Sequence, residues 1–233
     1  MTEGRIYVLH GRRGKVPSSN IELLKRYIAQ SGITSEIAFL EGDVQTLEEA
    51  IASVQQRADQ LVIIPVLLFS ATHIRWDIPR RSAQVLDAKI GVETTQPLGT
   101  TEAVYRFLRD RIGAAVQEHP QRTVLLVAHG TPHFPEPFEQ LQHIAARLEQ
   151  DVGAPVVATN HIGQPRIEET LEGGSAPLIV QRLFLTDGRL AHKIQDRVEA
   201  IQPDSIFLPT LEDDPVITEA ITERLGKLQQ LRA

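Results

Sequence analysis

The sequence predicts an α/β protein of two similar halves, each a parallel sheet of about four strands flanked by helices in a flavodoxin-like layering. Three observations predict it. Apolar, strand-like segments alternate with segments of helical period in the order β-α-β-α-β-α-β-α, the signature of a parallel sheet with helices on both sides. Nine of the ten residues from 61 to 70 (LVIIPVLLFS) are apolar or proline, as suits a strand buried on both faces. The whole pattern then repeats, with His10-Gly11 returning as His129-Gly130, 119 positions on.

Taken in order, residues 5–9 (RIYVL) form a strand that delivers His10-Gly11. A loop with Arg12, Arg13 and Lys15 leads to a helix opened by Pro17-Ser18-Ser19 and striped by Ile21, Leu24 and Ile28. Residues 34–40 alternate as a strand and end on Glu41. Thr46 and Glu49 form a capping box for a helix whose apolar stripe is Leu47, Ala50, Ile51, Val54 and Ala58. The central strand, 61–70, leads through Ser70-Ala71-Thr72 to His73, and Pro79 suits the first turn of a helix over 80–88. A short strand over 90–94 and the turn Pro97-Leu98-Gly99-Thr100 precede a helix over 101–117.

The second half starts with a strand over 122–128. Leu47-Glu48-Glu49 returns as Ile167-Glu168-Glu169, residues 62–69 return as 178–185, and Pro97 with its helix returns as Pro209 with a helix over 215–231. Spacing between matched elements shrinks from 120 to 112 positions along the chain, as an old duplication with shorter loops in its second copy would leave it. The polar stretch Glu118-His119-Pro120-Gln121 marks the boundary, giving domains at 1–119 and 120–233.

Composition narrows the chemistry. A chain of 233 residues, 42% of them hydrophobic, is long enough for two proper cores. The absence of cysteine excludes disulfides, thiolate nucleophiles and zinc-thiolate clusters, so a metal must be met by His, carboxylate or the substrate. A net charge of -6 speaks against a nucleic-acid partner. No run of eighteen apolar residues and no signal-peptide pattern is present, so a cytoplasmic protein without membrane contact is expected, as a monomer or weak homo-oligomer.

In the first half three successive strands end on a residue able to bind a metal or move a proton: His10, Glu41 and His73. Parallel strands point their carboxyl ends to one rim, where open α/β sheets bind ligands, so the three are expected to converge. In the second half His129 matches His10 and His161 matches Glu41, but the counterpart of His73 is Gly188 or Arg189. That half is expected to be degenerate. His119, His133 and His143 are assigned no role. Arg12, Arg13 and Lys15 follow His10, and Arg75, Arg80 and Arg81 surround His73, which points to an anionic ligand because guanidinium matches carboxylate and phosphate geometry. The phosphate-loop spacing is absent around Gly11-Arg12-Arg13-Gly14-Lys15. Trp76, the single tryptophan, is read as a packing residue at a strand–helix corner.

Val8-Leu9-His10-Gly11, Phe39-Leu40-Glu41, the run from Pro65 to His73 (PVLLFSATH), Asp77-Ile78-Pro79 and Pro97-Leu98-Gly99 together resemble the sirohydrochlorin chelatases, class II tetrapyrrole chelatases, in their two-domain bacterial form. The resemblance implies a chelatase-like fold and insertion of Fe2+, for sirohaem, or Co2+, for cobalamin, with Ni2+ a further candidate, into sirohydrochlorin without ATP or an organic cofactor. It implies that His10 and His73 are the metal-binding and proton-accepting pair, assisted by Glu41. Arg12, Arg13, Lys15, Arg75, Arg80 and Arg81 would then meet the carboxylates of the tetrapyrrole. Two alternatives stand beside it: a histidine-dependent phosphatase built on His10 and the arginines, and a non-catalytic tetrapyrrole or metal carrier.

Overall fold

The computed structural model describes residues 2–11, 18–42, 44–174 and 176–232. Eight strands and eight α-helices alternate along the described residues: β1 (Glu3–Gly11), α1 (Ser18–Ser31), β2 (Thr34–Glu41), α2 (Leu47–Val54), β3 (Gln60–Pro65), α3 (Ile78–Val85), β4 (Gly91–Thr94), α4 (Glu102–Glu118), β5 (Thr123–Ala128), α5 (Glu136–Val152), β6 (Val156–Asn160), α6 (Ile167–Leu171), β7 (Leu178–Arg182), α7 (Arg189–Glu199), β8 (Ile206–Leu208) and α8 (Val216–Arg232). They form two four-stranded parallel sheets of the same topology, ordered β2-β1-β3-β4 and β6-β5-β7-β8.

Alternation along β1 shows why each sheet needs helices on both faces. Ile6 and Val8 join a core with Leu47, Ala50, Ile51 and Val54 of α2 and Ile78 of α3. Tyr7 points the other way and meets Tyr27 of α1 edge to face, with ring centroids 6.2 Å apart. In the second sheet Leu125 and Val127 repeat this pattern against Ile167 and Leu171 of α6 and Ile194 and Val198 of α7. The Thr46–Glu49 capping box forms as the sequence predicts, with the Glu49 N–H donating to Thr46 Oγ1 at 3.3 Å and the Thr46 N–H to Glu49 Oε2 at 2.9 Å.

The central strand is shorter than its apolar run. Leu61 to Ile64 are buried in the sheet, each such side chain contributing about 1.5–3 kcal/mol, but β3 stops at Pro65, which has no N–H for the ladder. Beyond it the backbone bonds are taken up differently. The Val66 N–H donates to the Val8 carbonyl at 2.8 Å, while the carbonyls of Leu67 and Leu68 accept from the N–H groups of Leu98 and Gly99, both at 2.8 Å. The apolar residues 66–69 are thus a tied loop. His73 consequently lies not at a strand end, as its position after the apolar run suggests, but at the start of a single π-helical turn, His73–Asp77, that runs directly into α3.

Packing also departs from the expected boundary near residue 119. One compact unit holds residues up to Thr101 together with those from Ile217 onward, and the other holds Glu102–Val216. The helix that follows the fourth strand of each repeat is therefore exchanged: α8 completes unit one and α4 completes unit two. In unit one, Arg224 of α8 is buried and donates to the Pro97 carbonyl at 2.8 Å and to Thr100 Oγ1 at 2.6 Å. In unit two, Tyr105 of α4 donates to Asp151 of α5 at 2.6 Å. Repeat and packing unit do not coincide because a single long helix after β4 or β8 can cover whichever sheet its apolar stripe meets.

Candidate metal centre

Three segments of unit one bring His10, Glu41 and His73 together. The next-to-last residue of β1 is His10, Glu41 ends β2, and Gly11 stands opposite Glu41 in the parallel register. Gly11 has a φ of +81°, and a Cβ there would lie 2.2 Å from the Glu41 carbonyl oxygen. Only glycine permits both the turn and the close approach, which is the physical content of the His-Gly signature. Gly130 repeats it, with a φ of +74° and a Cβ position 2.1 Å from the Ile162 carbonyl.

The imidazoles of His10 and His73 meet edge to face, with ring centroids 4.6 Å apart and Nε2 atoms 3.0 Å apart. Each Nδ1 is engaged elsewhere. His73 Nδ1 lies 2.8 Å from Asp77 Oδ2, one helical turn on, and His10 Nδ1 lies 3.2 Å from the Gly11 carbonyl and 3.8 Å from Glu41 Oε2. All these Nδ1 partners are acceptors, so both Nδ1 atoms are assigned the proton and both Nε2 atoms present lone pairs to each other. Such a pair calls for a cation between them, either a proton or a metal ion. Two nitrogen ligands about 2.1 Å from one ion and at right angles to each other are themselves about 3.0 Å apart, so the spacing suits two adjacent coordination positions. One ligand atom from each of His10, Glu41 and His73 can be chosen so that all lie within 4.8 Å of one another, and this is the only such group of three among the described residues. The side chains of His10 and Glu41 are half exposed, so the set is open to a large ligand.

Asp77 is the residue that sequence reasoning left without a role. Its spacing of four from His73 was the available signal, since residues four apart on a helical turn share a face. The carboxylate fixes the tautomer and the ring plane of His73, as outer partners of metal-binding histidines do. The expected basic cluster is only partly assembled. Arg12, Arg13 and Lys15 lie outside the described residues, and Arg75 and Arg80 are exposed on the segment that follows His73. Arg81 is engaged within the fold. Its guanidinium holds Glu48 through two bonds of 2.6 and 2.5 Å and the Leu40 carbonyl at 2.8 Å, and this pairing keeps the Glu48 carboxyl below its ordinary pKa. Trp76 is not a packing residue either, because it is 64% exposed on the π turn beside His73.

Unit two keeps the rim without the full donor set. The strand register puts Ile162, and not His161 as the sequence repeat suggests, where Glu41 stands in unit one; His161 takes the place of Leu40, is buried, and receives a hydrogen bond from Arg197 at Nδ1, 2.8 Å, with a second to its carbonyl at 2.9 Å. An Nδ1 that accepts leaves the proton on Nε2, which closes that nitrogen to a metal. Burial, followed by the Arg197 charge, lowers the pKa of His161. At the place of His73 the chain has Gly188, the residue that opens α7, and Arg189. His129 remains at the equivalent of His10, 6.2 Å from His161 between ring centroids.

The CbiX family model matches the chain twice, over residues 4–115 and 123–228. A protein of Priestia megaterium described as a sirohydrochlorin ferrochelatase is 27% identical over 212 residues, covering 86% of this chain and 79% of the relative. A sirohydrochlorin cobaltochelatase of Saccharolobus solfataricus is 30% identical over 120 residues, 47% of this chain and 92% of the relative. Among solved structures, SirB from Bacillus subtilis with Fe3+ superposes with a TM-score of 0.84 at 22% identity, covering 97% of this chain and 95% of that one, so the two share a fold.

Proposed function

The chain belongs to the CbiX family, and from that premise we propose that it is a sirohydrochlorin chelatase, inserting Fe2+ or Co2+ into sirohydrochlorin through His10, His73 and Glu41. The observation that carries this reading is the pair of Nε2 lone pairs 3.0 Å apart beside an open carboxylate. Insertion must strip a divalent ion of water and remove two protons from the pyrrole nitrogens. His10, His73 and Glu41 hold the ion in a partial coordination shell, leaving positions for the macrocycle nitrogens. As the ion passes to the macrocycle, the two Nε2 atoms it leaves are free to take the two protons, so a dication leaves and two positive charges return. Charge in the site is balanced throughout, and Asp77 at 2.8 Å steadies the imidazolium formed on His73.

Imidazole and carboxylate accept Fe2+, Co2+ and Ni2+ alike, so the donor set does not choose among them. Arg75 and Arg80, with Arg12, Arg13 and Lys15, which lie outside the described residues, are the groups proposed to meet the acetate and propionate arms of the substrate. Unit two is proposed to be degenerate in metal chemistry, with Ile162 at the place of Glu41, Arg189 at that of His73, and His161 held by Arg197. None of the described helices is long and apolar enough to cross a membrane, and a cytoplasmic monomer or weak homo-oligomer fits a small, diffusible substrate. The relatives compared are described as chelatases, which favours that reading over a phosphatase, and a carrier with the same pocket differs in lacking turnover. The deciding experiment is anaerobic incubation with sirohydrochlorin and Fe2+, Co2+ or Ni2+ in turn, followed by the macrocycle absorbance. Catalytic turnover supports the reading; stoichiometric binding without turnover would make the protein a carrier.

A further inference from the structure

We infer that Arg81 is a positioning residue that sets the distance between the metal donors, and that it acts through the backbone before Glu41 without touching substrate. The inference rests on the chelatase reading of His10, Glu41 and His73. Two of those donors stand on strands, whose hydrogen-bond ladders fix them. The third does not: His73 is eight positions beyond the end of β3, on the π turn that leads into α3. What fixes that turn is the helix it feeds. Ile78 of α3 is buried in the core, and Arg81, one turn further on, ties the helix to two other segments at once.

Its guanidinium grips the Glu48 carboxylate of α2 with two bonds and, with the remaining Nη1, donates to the carbonyl of Leu40, the peptide immediately before Glu41. One planar group thus joins the helix carrying His73, the first turn of α2 and the end of β2. A two-bond grip by a guanidinium that is 19% exposed is stiffer than an ordinary surface ion pair, and a lysine could not reproduce its three directed bonds. Unit two contains the same device without the full set of metal donors. There Arg197 of α7 grips Glu168 of α6 and bonds the His161 carbonyl. Arg197 therefore supplies a close comparison, with one further bond, to His161 Nδ1, and no complete donor set to disturb.

The test uses the full chain and the variants Arg81→Gln, Arg81→Lys, Glu48→Gln and Arg197→Gln. Thermal melting is recorded, Co2+ alone is titrated by its absorption bands, and KM is measured separately for Co2+ and for sirohydrochlorin. Arg81→Gln and Glu48→Gln should each weaken Co2+ binding about tenfold and raise the KM for Co2+ in proportion, with the KM for sirohydrochlorin held within about twofold. Arg81→Lys should fall between these and the parent. Arg197→Gln should lower the melting temperature comparably while binding Co2+ as the parent does. Unchanged Co2+ binding in the folded Arg81 and Glu48 variants overturns the inference. So does a rise in the sirohydrochlorin KM alone, which would make Arg81 a substrate contact, or an equal loss in Arg197→Gln, which would make the effect general loosening. If Arg81→Gln does not fold, Arg81→Lys and Glu48→Gln decide, the first losing the directed bond to the Leu40 carbonyl and the second weakening the two-bond grip. A parent protein that takes up no Co2+ would instead bring down the reading of the donor set, and this inference with it.

Discussion

His10 and His73 face each other through lone pairs because Gly11, Glu41 and Asp77 have claimed the opposite side of each ring. Two atoms that share one cation fail together. His10→Ala and His73→Ala are each expected to cut insertion at least about a hundredfold, and the double variant should lose little more; near-parental turnover by either single variant, in a steady-state insertion assay, would refute the assignment. Asp77→Asn keeps an acceptor of the same size but removes the charge that holds the Nδ1 proton, so metal affinity should fall about tenfold, measured by Co2+ titration. In unit two, burial lowers the pKa of His161 from an ordinary 6.5. The unfolded chain then binds a proton that the folded chain refuses, so stability declines as pH falls through 6.5 and below. Glu48 and Glu168, held below their ordinary 4.5 chiefly by Arg81 and Arg197, add stability that is lost only as pH falls below 4.5. Denaturant midpoints followed against pH should show both declines, and His161→Gln should remove the first alone. The convergence of His10, Glu41 and His73 was legible in the sequence because each interrupts or follows an apolar run. Asp77 and Arg81 were not, since their roles depend on which side of a helix they occupy and on what stands opposite.

The strands and their order were legible because apolar alternation and a buried run leave few other folds, and the capping box located the start of α2 to the residue, although the helix ends at Val54, short of Ala58. The end of β3 was not. An apolar run records burial, and residues 66–69 are covered while bonded as a loop, so hydrophobicity overstated the strand. Glycine carries information of a different sort, about space. Gly11→Ala would place a methyl group 2.2 Å from the Glu41 carbonyl in a left-handed backbone, at a cost of about 1–3 kcal/mol, and would push the end of β2 away from His10. Urea unfolding should show the lost stability and Co2+ titration the weakened site. Gly130→Ala should cost similar stability and leave the metal affinity alone. An alanine at position 11 as stable as the parent would mean that the loop relaxes freely and that the His-Gly pair is not a backbone constraint.

Across the whole molecule, the duplication was legible and the packing boundary was not, because a sequence repeat shows descent and not which sheet a helix covers. The two long helices after β4 and β8 carry equivalent places in the repeat yet serve opposite units. A fragment of residues 1–119, the natural cut on sequence grounds, lacks Ile217, Ala220, Ile221 and the buried Arg224, and leaves the Pro97 carbonyl without its donor. It should show no cooperative melting transition by circular dichroism and bind Co2+ at least about tenfold more weakly, whereas residues 102–216 should melt cooperatively alone. Sharp melting of 1–119 would show that α8 is dispensable. The exchange also sets an order of assembly during translation. The ribosome releases the whole of unit two before it releases α8, so unit two can finish folding on the nascent chain while unit one, although read first, waits for its last helix. The donors that would capture a metal ion are made before unit two and locked in place after it.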